Sequence, residues 1–240
     1  MSTMQERVER DGQVALEARR LLRAARVATL GVVEGGAPSL ALVTPAVALD
    51  GAVLLLLSRL AAHTRALDAD PRAGLLVAGA PAEINPQTSP RLSLSCEATR
   101  TDDRALRARY LAIHPYARLY ADFTDFGLFR LEVKAARYVG GFARAARIAP
   151  ADLRPSPAAL DGLTEAAAQA AAEAADPALA DRIAARHGAD GEGGSNGWRI
   201  AALDSDGVDL GCGERVIRIP FAEPVAGRGI DAALATLAGG

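Results

Sequence analysis

Two turn pairs divide residues 26–57 so closely that antiparallel pairing is almost the only arrangement open to them. Gly35-Gly36 and Asp50-Gly51 separate apolar segments over 26–33, 38–48 and 52–57. Each segment has the length of a strand. A Gly-Gly or Asp-Gly pair between such segments suits a tight hairpin, because these residues accept the positive φ the turn requires. Ala52 to Leu57 is an unbroken apolar run, the pattern of a strand covered on both faces. Strands that return on themselves in this way lead toward a closed or half-closed antiparallel barrel.

The rest of the chain fits around that unit. Val14, Ala15, Ala18, Leu21, Leu22 and Ala25 recur at helical spacing and predict an amphipathic helix from about Glu6 to Ala25. A short helix over 60–69 stops at Asp70-Pro71, and Ala73 to Ala80 continues as a strand. Pro81 to Pro90 is a loop by its prolines. In Arg91 to Arg100, Leu92, Leu94 and Cys96 alternate with Ser93, Ser95 and Glu97, so one face is polar. A ligand wall and a solvent-facing edge both account for that stripe. Asp102 to Ile113 reads as a helix. Phe126 to Phe142 reads as a long bent strand or a strand pair, with Gly127 and Gly140-Gly141 permitting distortion.

Pro150 to Pro157 reads as a linker. It leads to an alanine-rich helix over 160–175 and a second helix opened by Asp176-Pro177, a cap followed by proline. A glycine-rich loop over 188–197, three short strands over 198–203, 208–212 and 215–219, and a helix over 228–237 complete the chain.

Composition excludes several classes. A formal charge of −2 over 240 residues lacks the basic surplus of a nucleic-acid binder. Arginine clusters at Arg19, Arg20, Arg23 and Arg26, and at Arg104, Arg107 and Arg109, read as solvated helix faces. Cys96 and Cys212 are too few and too far apart for a disulfide scaffold or a metal motif. The first twenty residues are polar and charged, unlike a signal peptide, and no apolar run reaches membrane-spanning length. A reduced, cytoplasmic protein without a membrane or nucleic-acid partner is expected. With three histidines, and no Gly-x-Ser-x-Gly, Walker or His-Glu-x-x-His pattern, the chain is poor in acid–base residues. Such a chain binds something or leaves the chemistry to a cofactor.

The segment from Ser58 to Arg65 is where an anion would sit. Ser58 is read as the cap of the short helix, and the N–H groups of a helix start attract phosphate. The hydroxyls of Ser58 and Thr64 and the cations Arg59 and Arg65 add to that attraction, with His63 as a further donor or stacking surface. A capped surface helix with solvated arginines explains the same residues.

Several ordered pieces over roughly residues 18–150 resemble the FMN-binding split barrel of the pyridoxamine 5′-phosphate oxidase-like superfamily, specifically its haem-utilisation branch. They are Arg26 to Val33 with Gly35 to Pro38, Leu57 to Arg65, Pro90 to Ser95, Arg109 to Pro115, Asp125 to Leu131 and Tyr138 to Phe142. Residues 157–238 resemble the small α/β domain that often follows this barrel.

The resemblance implies an α+β fold with an N-terminal FMN-binding split β-barrel and flanking helices over 1–150, then a small C-terminal α/β domain over 157–240. It further implies a homodimer holding FMN between subunits and acting as a flavin-dependent oxidoreductase on a small molecule. Haem binding or degradation, and a flavin-holding module without turnover, are the alternatives. Carried over by position, the cofactor contacts are Ser58, His63, Thr64 and Arg65, then Arg26, Thr44, Arg91 and Ser93. His114 is the candidate haem ligand, against its reading as a helix C-cap. The chain departs from the family at Ala66, often asparagine, and at Ala174 to Asp181, which lacks the usual Asn-x-Asp-His-Ala-Asp histidine.

Overall fold

The protein, seen in a computed structural model, is described for residues 4–81, 83–140, 145–189 and 197–239. The chain divides into two compact units that are discontinuous in sequence. One comprises residues 1–47, 51–102 and 123–154, and the other 48–50, 103–122 and 155–240.

The first unit is built on one antiparallel sheet. Its strands are β1 (Ala28–Glu34), β2 (Ala37–Val43), β3 (Ala46–Val47), β4 (Val53–Ser58), β5 (Arg72–Ala78), β6 (Arg91–Thr101), β7 (Phe126–Val139) and β8 (Ala145–Ile148). The order is β2-β1-β5-β6-β7-β4-β3, with β8 paired to β7. Gly35 and Gly36, at φ 59° and 82°, make the two-residue turn between Glu34 and Ala37, as their chemistry predicts.

The two edge strands, β2 and β3, are consecutive in the chain and separated only by Thr44 and Pro45. Two residues bridge at most about 10 Å, so the sheet curls until its edges nearly meet, which makes a barrel with a split. Inside it, Leu30, Val53, Leu55, Val77, Leu92 and Leu131 are fully buried, each contributing roughly 2 kcal/mol by leaving water. The helix α1 (Met4–Ala24) buries Ala15, Ala18 and Leu22, spaced at i, i+3 and i+7, against this core. The helix α2 (Ala62–Ala69) follows β4.

The second unit holds α3 (Arg104–Ile113), α4 (Glu165–Ala174), α5 (Pro177–Arg186) and α6 (Ile230–Ala238), with the meander β9 (Arg199–Asp204), β10 (Gly207–Cys212) and β11 (Arg215–Pro220). Asp103, Thr164 and Asp176 cap α3, α4 and α5, and Pro177 takes the first position of α5 as expected. Trp198, Ile183, Leu203, Leu210 and Leu234 form its core.

Three expectations change. Residues 150–153 form a 3₁₀ turn rather than a linker, because Leu153 is only 2 % exposed within the barrel core. Arg23 and Arg109 are 4 % and 6 % exposed, so neither belongs to a solvated face. The expected strand over 126–142 ends at Val139. Gly141 and Phe142, and most of the expected 188–197 loop, lie outside the described residues.

Candidate functional site

The split in the barrel gathers part of the expected site. A cavity of about 250 Å³ is lined by Thr44, Ser58 and His63 together with Leu42, Leu57 and Phe126. Thr44 reaches it because it lies between the two sheet edges, and Ser58 because it is the last residue of β4.

Ser58 does not cap α2. The cap position is Ala61, which offers no side-chain acceptor. Instead the Ser58 hydroxyl donates to Asp125 Oδ2 at 2.6 Å and accepts from the Leu60 N–H at 3.1 Å. A serine has one hydroxyl donor, so Ser58 has none left for a phosphate. The first intrahelical bond of this segment runs from Arg65 N to Ala61 O, which leaves the amides of Ala62, His63 and Thr64 without intrahelical partners.

Thr64 is fully buried, and its Oγ1 has no hydrogen-bond partner among the described residues. Arg65 is exposed and uses one donor on Leu60 O at 2.6 Å. Arg59 donates to Thr124 O. Burial lowers the pKa of His63 below its usual value, with Glu34 pulling the other way, and so disfavours the imidazolium form. The helix start therefore fits an anion through amides, Thr64 and Arg65, while Asp125 and the burial that disfavours a charged His63 weaken that fit.

The other expected contacts lie elsewhere. Arg26 folds back to donate to Arg23 O and Ala25 O at 3.1 and 3.4 Å and is not among the residues lining the split cavity. Arg91 and Ser93 sit opposite Val139 and Arg137, toward the far end of β7 from Phe126 and about 40 Å along the strand. Arg91 donates to Gln87 O at 3.0 Å, and Ser93 lines a separate cavity of about 480 Å³ with Ser95, Arg137 and Arg147. His114 is 1 % exposed, with Nδ1 at 3.2 Å from the Tyr116 hydroxyl and its ring 4.9 Å from that of Tyr110. It occupies the C-cap of α3.

A second feature of the barrel was not singled out by sequence reasoning. A groove of about 890 Å³ crosses the outer face of the sheet, with Gly31, Leu40, Gly74 and Ser95 along it and Arg72 and Lys134 at its rim. Cross-strand register explains it. Leu40, Gly31, Gly74 and Ser95 are successive partners on β2, β1, β5 and β6, as are Leu42, Thr29, Leu76 and Ser93. Leu40, Leu42 and Leu76 are 73 %, 75 % and 42 % exposed, an apolar stripe that single scattered leucines would not make. The two mid-strand glycines were the available signal, since glycine in a strand marks close approach of another group.

The rim cations are held by exposed carboxylates. Arg72 makes bidentate bonds to Asp70 and holds its carboxyl at a pKa of about 2. Lys134 lies 3.1 and 3.3 Å from Glu97 and Glu132. Exposed pairs of this kind exchange partners at little cost. None of His63, His114 and His187 lines the groove. Among the described residues no cluster of His, Cys, Asp and Glu is suited to a metal ion, and no helix is long and apolar enough to cross a membrane.

A curled antiparallel sheet with its edges meeting at Thr44-Pro45, and a helix leaving β4 beside that opening, defines a split-barrel protein. The sequence profile described as pyridoxamine 5′-phosphate oxidase matches residues 15–140, more than half of the chain, and the chain belongs to that family. It is 41 % identical over 113 residues to the chloroplastic non-canonical haem oxygenase HOZ of Arabidopsis thaliana. That match covers 46 % of this chain and 34 % of the relative, so the chain spans about a third of the relative's length. A protein of unknown function from Agrobacterium tumefaciens shares 27 % identity at a TM-score of 0.71, covering 93 % of this chain and 94 % of that one. A haem-binding protein from Mycobacterium smegmatis shares 26 % identity at a TM-score of 0.55, covering 94 % and 96 %.

Proposed function

We propose that this protein binds haem on the outer face of its barrel and serves haem breakdown, with a second copy of the chain covering the apolar stripe. The observation that carries this reading is the groove itself: a mainly apolar floor opened by Gly31 and Gly74, with Arg72 and Lys134 at its edge. A porphyrin is flat and apolar and carries two propionates, so its body matches the floor and its carboxylates match the rim cations. The groove's volume falls within the usual range for a ligand of that kind. The named haem-related relatives support the same reading. Exposed Leu40 and Leu42 favour a homodimer, because apolar surface of that extent on a sheet is normally covered.

The second reading is an FMN-dependent oxidoreductase, favoured by one observation, the buried Thr64 Oγ1, without a partner among the described residues, beside the bare amides of α2. There a phosphomonoester would be held by those amides, Thr64 and Arg65, while the flavin would supply electron transfer. Arg65→Ala would then weaken FMN binding more than about tenfold.

Titration of the purified protein with haemin and, separately, with FMN tests both. A saturable Soret band, bleached in air once an electron donor is added, supports haem breakdown. A stable Soret band reduces the function to haem binding. Flavin bands without any Soret response overturn the haem reading in favour of the flavin one.

A further inference from the structure

We propose that the second unit carries its own site for a small monocarboxylate with an apolar tail, in a cavity of about 260 Å³ framed by α3, α4 and β9. Arg109 is its fixed point. Its Nε pairs with Glu165 Oε2 and its Nη2 donates to Leu203 O at 2.9 Å, so the guanidinium is locked in place. Glu165 is itself anchored through Oε1 by the Leu49 N–H at 2.6 Å. Arg109 Nη1 is buried and has no partner among the described residues. A buried guanidinium nitrogen without an acceptor carries its full desolvation penalty, and an anion in the adjoining cavity removes it.

Charge and shape narrow the ligand. Arg109 and Glu165 neutralise each other, leaving Arg118 and Arg199 against Glu173 on the cavity wall, a balance of one positive charge. Neither Arg118 nor Arg199 makes an ion pair among the described residues. A monoanion completes that balance, whereas a phosphate dianion exceeds it. Ala108, Leu111, Ala112 and Ala201 supply an apolar wall, and the alanines leave the space that longer side chains would fill. A carboxylate directed at the arginines with a short hydrocarbon tail on the alanine side satisfies both halves.

Butyrate is the probe, added to the full-length protein at constant ionic strength. Its melting temperature should rise with butyrate concentration, by preferential binding to the folded state, and stay unchanged with the neutral isostere butyramide. Arg199→Gln and Arg118→Gln, which leave Arg109 and Glu165 in place, should each weaken butyrate about tenfold. Equal responses to butyrate and butyramide would show that charge is not read. A stronger response to phosphate or succinate would overturn the monocarboxylate assignment. Unchanged affinity in both variants would place binding elsewhere, and no response to any of the four compounds would show that the cavity holds only water.

Discussion

Gly31 of β1 is the direct cross-strand partner of Gly74 of β5, so two adjacent positions on the outer face of the barrel lack a Cβ. A Cβ built on Gly74 meets nothing nearer than the carbonyl oxygens of Gly31 and Leu94, each at 4.0 Å, and one on Gly31 comes within 3.4 Å only of the Leu40 side chain. Neither glycine has a positive φ. The backbone therefore tolerates larger residues there, and the glycines' consequence is the depression they leave.

Gly74→Val should accordingly fill the groove without unfolding the barrel. Under the haem reading, haemin affinity falls by more than about tenfold, while the thermal midpoint holds or rises as a β-branched residue replaces glycine in a strand. Soret titration and a circular dichroism melt of the same preparation check both halves. Unaltered haemin affinity removes haem from this groove.

Thr64→Val should separate the two ligand readings. The Thr64 hydroxyl is fully buried without a partner among the described residues, so its replacement by an isosteric methyl should stabilise the free protein by about 1 kcal/mol. If FMN phosphate occupies the start of α2, the same variant loses FMN affinity while its haemin titration stays as in the parent.

The hairpin at Gly35-Gly36, the alternation along β6 and the Asp176-Pro177 start of α5 were legible because each depends on neighbours within a few residues. Burial along β6 follows the sequence letter by letter, with Leu92, Leu94 and Cys96 inside and Ser93, Ser95 and Glu97 outside. What escaped was set by distant partners. Ser58 looked like a helix cap, but Asp125, 67 residues on, accepts its hydroxyl hydrogen bond. Arg109 looked solvated until Glu165, 56 residues on, covered it. Gly31 and Gly74 say little singly and open a groove only as a pair. Of the expected cofactor contacts, Thr44, Ser58 and His63 meet at the split, whereas Arg91 and Ser93 stand at the far end of the long strand.

His63 should titrate below its usual value of 6.5, because partial burial disfavours the imidazolium more than Glu34 favours it. A base depressed in the folded state favours folding above its unfolded pKa. That contribution is lost as pH falls through the folded value, since the unfolded chain then binds the proton more readily. Imidazole shifts followed by NMR give the folded pKa, and a value above 6.5 in the free protein contradicts the burial argument. Adding FMN should raise it if a phosphate sits at the start of α2 and leave it in place otherwise.

Cys96 should be inert in the native protein. Burial pushes its thiol up to about 12, so almost no thiolate forms near neutrality, while Cys212 is partly exposed. A thiol reagent should modify Cys212 first and reach Cys96 only on unfolding. A thiol raised in the folded state contributes stability that is intact below its unfolded pKa of about 8.5. That stability is lost as pH climbs toward the folded value, so the protein should weaken in strong alkali.

The Arg109–Glu165 pair should govern the stability of the second unit. Side-chain exposure is 5 % for Arg109 and 17 % for Glu165, so the pair is shielded from solvent far better than a surface bridge. Glu165→Ala leaves a guanidinium buried without a counter-charge and strips the Leu49 N–H of its acceptor, a loss of about 3–5 kcal/mol. Replacing both partners, Arg109→Met with Glu165→Leu, removes the uncompensated charge along with the attraction and should recover much of that loss. Trp198, the chain's sole tryptophan and 3 % exposed, lies in the core of the second unit, so its fluorescence during urea unfolding reports this transition directly. If the double variant unfolds as readily as Glu165→Ala alone, the loss comes from the broken Leu49 anchor and not from the stranded charge. The paired variants thus distinguish electrostatic from backbone support at Arg109, the arginine of α3 that reaches Glu165 of α4 and Leu203 of β9.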